Sequence, residues 1–174
     1  MKMNPWIVMT TLIAIPIALV LAGQLGLLSG QAPEQLGVQG TQLQPPSPTR
    51  NSVSSQADRH PDHPQRAYAH IDPLPLKGAT PAAAMAQLAR VLSSEPGVSI
   101  VINQNGYLRA TARTPWLGFV DDLEFWHNPE KGVIDLRSAS RLGREDFGTN
   151  RARIERIRAA YLALSEPTPA PSLN

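Results

Sequence analysis

The sequence predicts an α+β fold: a two-layer, four-stranded antiparallel meander with two helices on one face, preceded by one transmembrane helix and an extended linker. Three observations predict it. An uncharged apolar run opens the chain at positions 6–28. Two stretches with helical apolar spacing, 80–94 and 150–164, lie far apart. Between them stand four short runs with β-type composition, the first two separated by Asn105-Gly106, a strong hairpin signal. The chain has 174 residues, enough for one ordinary domain, and the absence of cysteine closes disulfide, thiolate and iron-sulfur chemistry. The 16 Lys and Arg against 14 Asp and Glu leave too little positive charge to argue for nucleic acid.

Taken in order, Trp6 to Leu28 would span about 34 Å as a helix at ~1.5 Å per residue, enough to cross a bilayer. Pro16 is tolerable within such a segment. Lys2 precedes the run and no Lys or Arg follows until Arg50, so the N-terminus is expected in the cytoplasm and the domain outside it, in a periplasm or lumen. A cleaved signal peptide is the competing reading, since Val20-Leu21-Ala22 would suit a signal peptidase. The run is longer than the ~7–15 residues of a signal core, which favours the anchor. No cysteine follows Leu21-Ala22-Gly23, which excludes a lipoprotein.

From Gln31 to Leu76 the chain carries 8 of its 17 prolines and shows no apolar period, so it reads as extended polypeptide. The first half is expected to be tether and the second to wrap the domain. Thr80 and Pro81 then start a helix with Met85, Leu88, Ala89 and Leu92 on its buried face, ended by Glu95-Pro96-Gly97. Strands are expected at 98–103, 107–113, 119–126 and 133–139, and the last helix at about 150–164 with Thr149 or Asn150 as cap. The organisation that follows is a short N-terminus at 1–5, a membrane segment at 6–28, a Pro- and Gln-rich linker at 29–50, a domain at 51–164 and a disordered tail at 165–174.

Successive strand residues face opposite ways. That rule puts Leu108, Ala110, Ala112, Ile134, Leu136 and Ser138 toward the helices. Tyr107, Arg109, Thr111, Arg113, Asp122, Glu124, Trp126, Asp135 and Arg137 fall on the other face. That charged face is either a binding platform with Arg forks for an anion or a solvated surface of cross-strand ion pairs. Asp121 falls among Phe119, Leu123 and Phe125 on the apolar side and needs a partner there. The candidates are Arg141, Ser138, Ser140 or the first amides of the last helix. The window from Arg137 to Arg158 holds 7 Arg against 3 acids, and its loop glycines Gly143 and Gly148 precede a helix N-terminus, the ingredients of an anion site. Against that, Arg151, Arg153, Arg156 and Arg158 are expected on the outer face of the helix. There is no phosphate-loop or dinucleotide motif. His60 and His63 make a poor metal pair, and Ser54 and Ser55 lack the turn that presents a serine nucleophile. No cofactor and no metal are expected.

Several stretches resemble a known family. Asn51-Ser-Val-Ser-Ser-Gln-Ala57, Gly118-Phe-Val-Asp-Asp-Leu-Glu-Phe125, Val133-Ile-Asp-Leu-Arg-Ser-Ala-Ser-Arg-Leu-Gly143 and Asp146-Phe-Gly-Thr-Asn-Arg151 are similar to the bacterial and plastid family termed domain of unknown function 1499. Gly26-Leu-Leu-Ser-Gly30 and Leu36-Gly-Val38 resemble its membrane-tethered members, and the likeness extends from Gly26 to Tyr161. Ser52 departs from it, many relatives having cysteine there. The resemblance implies a small α+β domain, often exported or anchored, with no established activity. It places the family's signature on Asn51, Ser54, Ser55, Gln56, Asp121, Asp122, Arg137, Ser138, Ser140, Arg141, Gly143, Asp146, Gly148, Asn150 and Arg151.

The functional expectation is a membrane-anchored, non-enzymatic module. Arg137, Arg141 and Arg151 would bind an anionic ligand, a lipid headgroup or a protein partner, with Asp121 and Asp122 as organisers. A hydrolase or isomerase with Asp121 or Asp122 as general base and Ser54 or Ser55 nearby is the rival, and a purely structural envelope protein is a third reading.

Overall fold

A computed structural model describes residues 4–164; the tail expected at 165–174 lies outside them. The fold is α+β, as the periodicities predict. Helix α1 (Pro5–Gln24) opens on Asn4, whose side chain accepts from the Trp6 amide, and carries Pro16 within it. It ends four residues short of the expected Leu28, because the chain turns through residues 25–29 with Gly26 at φ 80°. Its length and apolarity suffice to cross a bilayer.

The sheet contains β1 (Ser52–Ser54), β2 (Leu74–Pro75), β3 (Val98–Gln104), β4 (Tyr107–Arg113), β5 (Val120–Asn128) and β6 (Val133–Ser140). Strands β3 to β6 form the antiparallel meander, with Asn105 and Gly106 both at positive φ in the β3–β4 turn. The meander gains two short strands that no alternating run announced. Both β1 and β2 pair antiparallel with the free edge of β6, Ser52 opposite Ala139 and Leu74 opposite Ile134. A three-residue and a two-residue strand are too short to show a period, so the sequence pattern could not reveal them.

Helices α3 (Pro81–Ser94) and α4 (Thr149–Ala163) cover one face, and a short helix, α2 (Arg66–Ala69), packs beside β1. Thr80 caps α3 by accepting from the Ala83 amide, with Pro81 at the first position. The core between the layers joins Leu88 and Leu92 of α3 and Ile154, Ile157 and Tyr161 of α4 to Leu108, Leu123, Phe125, Ile134 and Leu136 of the sheet. Phe119, expected in this core, precedes β5 and is partly exposed.

The opposite face is neither solvated nor bare. Residues 37–47, read from the sequence as tether, lie across it through their backbone. The Gly37 amide donates to Glu124, the Leu43 amide donates to Gln56, and the Pro45 carbonyl accepts from Arg137. Leu43 is buried beneath this strip. An extended strip leaves most of its amides and carbonyls in need of partners, which suits it to cover a polar sheet face.

Candidate functional site

The signature residues do not converge on one pocket; the sheet divides them into two clusters. On the helix-covered side, Asn150 is the hub. Its amide nitrogen donates to Asp146 at 2.8 Å, to Ser140 at 3.1 Å and to the Asn51 carbonyl at 3.2 Å, while its oxygen accepts from Ser138 and, at 3.2 Å, from Arg153. Asn51 in turn donates to the Gly143 carbonyl at 2.8 Å. The local backbone explains the hub's position. Gly148 at φ 78° turns the chain into α4, and the Asp146 carboxylate accepts from the Gly148 and Asn150 amides, acting as the cap expected from Thr149 or Asn150. Burial opposes ionisation of Asp146. The Tyr68 hydroxyl at 2.6 Å and Asn150 outweigh it and hold the carboxyl below its usual 3.8. Burial and the same carboxylate push the Tyr68 phenol up to about 12.

Asp121 is buried on this side, as the alternation predicts, but its partner is Arg153 at 2.7 Å and none of the expected groups. The reason is parity. Arg141 continues β6 on the face of Arg137 and Ala139, opposite Asp122, so it cannot reach Asp121. Arg153, expected on the outer face of α4, is itself buried. It falls three residues after Asn150 and beside Ile154 and Ile157, and that helical spacing was the signal that could have found it.

The second cluster lies under the strip. Asp122 takes a two-pronged ion pair from Arg141 at 2.7 and 2.9 Å and a further bond from Arg109 at 3.1 Å. Burial alone would raise its pKa, but the two guanidiniums win and lower it, while Asp122 raises that of Arg141. Glu124 accepts from the Tyr107 hydroxyl and the Gly37 amide, both at 2.7 Å, and from Arg137 at 3.4 Å. Burial depresses the Arg137 pKa, and Glu124 opposes the shift. Tyr107 is pushed well above its ordinary range by burial and by Glu124. Asp135 accepts from Ser55, Gln56 and Asn128 at 2.7–2.8 Å. Ser54 accepts from the Gln56 amide within the same turn. Arg151 belongs to neither cluster and donates to the carbonyls of Tyr68 and His70.

Recesses reach both clusters. A cleft of about 330 Å³ between the 114–119 and 142–149 loops has Asp121, Ser140 and Asp146 in its lining. An open groove of about 530 Å³ under Pro45 and Pro46 reaches Arg137. Asp121 is held by Arg153 and Ser140 by Asn150, so the cleft pairs no nucleophile with a base. Among the described residues no three of His, Cys, Asp and Glu gather as metal ligands.

The family described as protein of unknown function DUF1499 matches residues 42–161, well over half the chain. The chain belongs to the DUF1499 family. Among curated proteins none matches it, and among solved structures none does either. The DUF1499 match takes in both clusters, the sheet and α3 and α4. It begins inside the strip, one residue before Leu43, and does not include α1. The chain thus joins a DUF1499 domain to an N-terminal helix apolar enough to span a membrane.

Proposed function

We propose that the protein is a membrane-anchored, non-catalytic module with its N-terminus in the cytoplasm and its DUF1499 domain on the far side, and that its polar clusters are latches that hold the domain closed. The observation that carries this reading is the fate of the charges. Asp121 ends on Arg153, Asp122 on Arg141 and Arg109, and Glu124 on Arg137, all inside the fold. The guanidiniums expected to grip an anion are engaged: Arg141 by a carboxylate, Arg151 by two carbonyls, Arg137 by Glu124 and Pro45. Membrane anchoring is supported by α1, and its orientation by Lys2 at the N-terminal end.

Arg141→Ala separates the readings. A latch predicts a loss of about 3–5 kcal/mol, because the buried Asp122 charge loses its main partner, and it predicts no saturable heat when the wild-type protein is titrated with inorganic phosphate. Phosphate binding by the wild type that Arg141→Ala abolishes, in a variant of unchanged thermal stability, would overturn it.

A further inference from the structure

The two ends of the sheet are built from different residues. The end carrying the β3–β4 and β5–β6 turns presents Asn105, Glu130 and Lys131. The other end presents large apolar side chains: Phe147 is 91% exposed, Trp116 74%, Leu142 43% and Phe119 37%. Phe147 also holds φ at 51°, a conformation a bulky side chain rarely takes. Val101 in β3 and Leu162 in α4 are exposed singly, which is ordinary, but four large apolar side chains grouped at one end of a domain mark a contact surface.

That end is fixed to the C-terminal end of α1. The Gln24 side chain donates to the carbonyls of Pro115 and Trp116, and Arg113 donates to the Gly23 carbonyl at 2.8 Å. The backbones meet so closely that a side chain at Gly23 would collide with Leu117, and one at Gly118 with the Gly23 carbonyl. Gly30 approaches Arg141 and Leu142 in the same way. The exposed Leu25 and Leu27 continue the apolar surface past the helix. Whatever depth the end of α1 reaches, the loops of 113–119 and 141–147 share it. Trp6 at one end of α1 and Trp116 beside the other then stand where membrane interfaces concentrate tryptophan.

Resting on the anchoring reading, we propose that this end of the domain is a bilayer-seating surface: Trp116, Phe119, Leu142 and Phe147 insert into the headgroup layer beside α1. The domain is held there in one orientation and does not swing on a tether. Arg113 and Arg144 flank the apolar group and suit an anionic headgroup layer.

The chain has no cysteine, so one can be added at will as a spin-label site. The full chain is reconstituted in vesicles of phosphatidylcholine with a minority of phosphatidylglycerol, labelled singly at Trp116→Cys, Phe147→Cys, Glu130→Cys or Leu12→Cys. Relaxation by oxygen, which partitions into lipid, is compared with relaxation by a water-soluble nickel chelate. The expected result is an oxygen-to-nickel ratio several-fold higher at 116 and 147 than at 130, with 12 higher still. Labels at 116 and 147 that match 130, while 12 lies in lipid, overturn the seating surface and leave the anchor standing. A label at 12 that also reads as aqueous overturns both.

Discussion

The two faces of this sheet are finished by different means. Under α3 and the body of α4 the contact is mainly apolar, from Leu88 and Ile157 down to Phe125 and Leu136, with the Asn150 hub and the Asp121–Arg153 pair gathered at the start of α4. Under the strip of 37–47 the contact is polar, with Asp122, Glu124 and Asp135 buried and bonded by guanidiniums, amides and hydroxyls. A helix brings a stripe of side chains to a sheet, whereas an extended strip brings mainly backbone, and backbone amides and carbonyls need polar partners. The charged strands of this sheet thus match a cover that has few side chains to bury.

The comparison can be broken most forcefully on the apolar side. Phe125→Ala removes a fully buried ring and should cost about 3–5 kcal/mol, seen as a lower denaturant midpoint with every probe lost together. A variant that loosened only the strip would show the two faces to be energetically separate. A smaller effect is expected from acid. The folded pKa of Asp122 lies below its ordinary 3.8, so its contribution is present above that value and is lost as pH falls through the folded pKa. Amide protection against hydrogen exchange should therefore fall below about pH 4 at Leu43 before it does at Leu108, and Asp122→Asn should flatten that acid limb. Simultaneous loss at both amides would mean that the strip is no weaker than the core. The smallest effect sharpens the contrast. Gln87 of α3 is buried with neither side-chain amide atom bonded, a polar group on the side that packs by apolar contact. Gln87→Leu should raise stability by about 1 kcal/mol, read as a higher melting temperature.

Most of the meander was legible because its signals are local: Asn105-Gly106 for the turn, period two for Leu108, Ala110 and Ala112, and Thr80-Pro81 for the start of α3. Alternation also sorted Asp121 from Asp122 correctly, and that split underlies both clusters. Three features escaped, two because they depend on contacts remote in sequence and one because residue type was weighed above position. Strand β1 meets β6 across more than eighty positions, so no pattern within β1 announces it. The strip over Glu124 has no period of its own and is held by single backbone groups such as the Gly37 amide. Arg153 was assigned to solvent by its charge, although its spacing from Asn150 and Ile157 placed it inside. Residue type outweighed position in that reading, and a buried acid opposite the helix reverses the weighting.

The pairing of β1 with β6 also bears on how the polypeptide is made. Ser52 and Val53 find their ladder partners only at Ala139 and Ser138, so β1 cannot pair until the ribosome has passed Ser140. Throughout that interval β1 waits without a partner, while the β3–β4 hairpin, whose pairs lie close in sequence, can already close. An unpaired strand that must wait is open to wrong partners, so the speed with which residues 133–140 follow bears directly on how much of the chain reaches this fold.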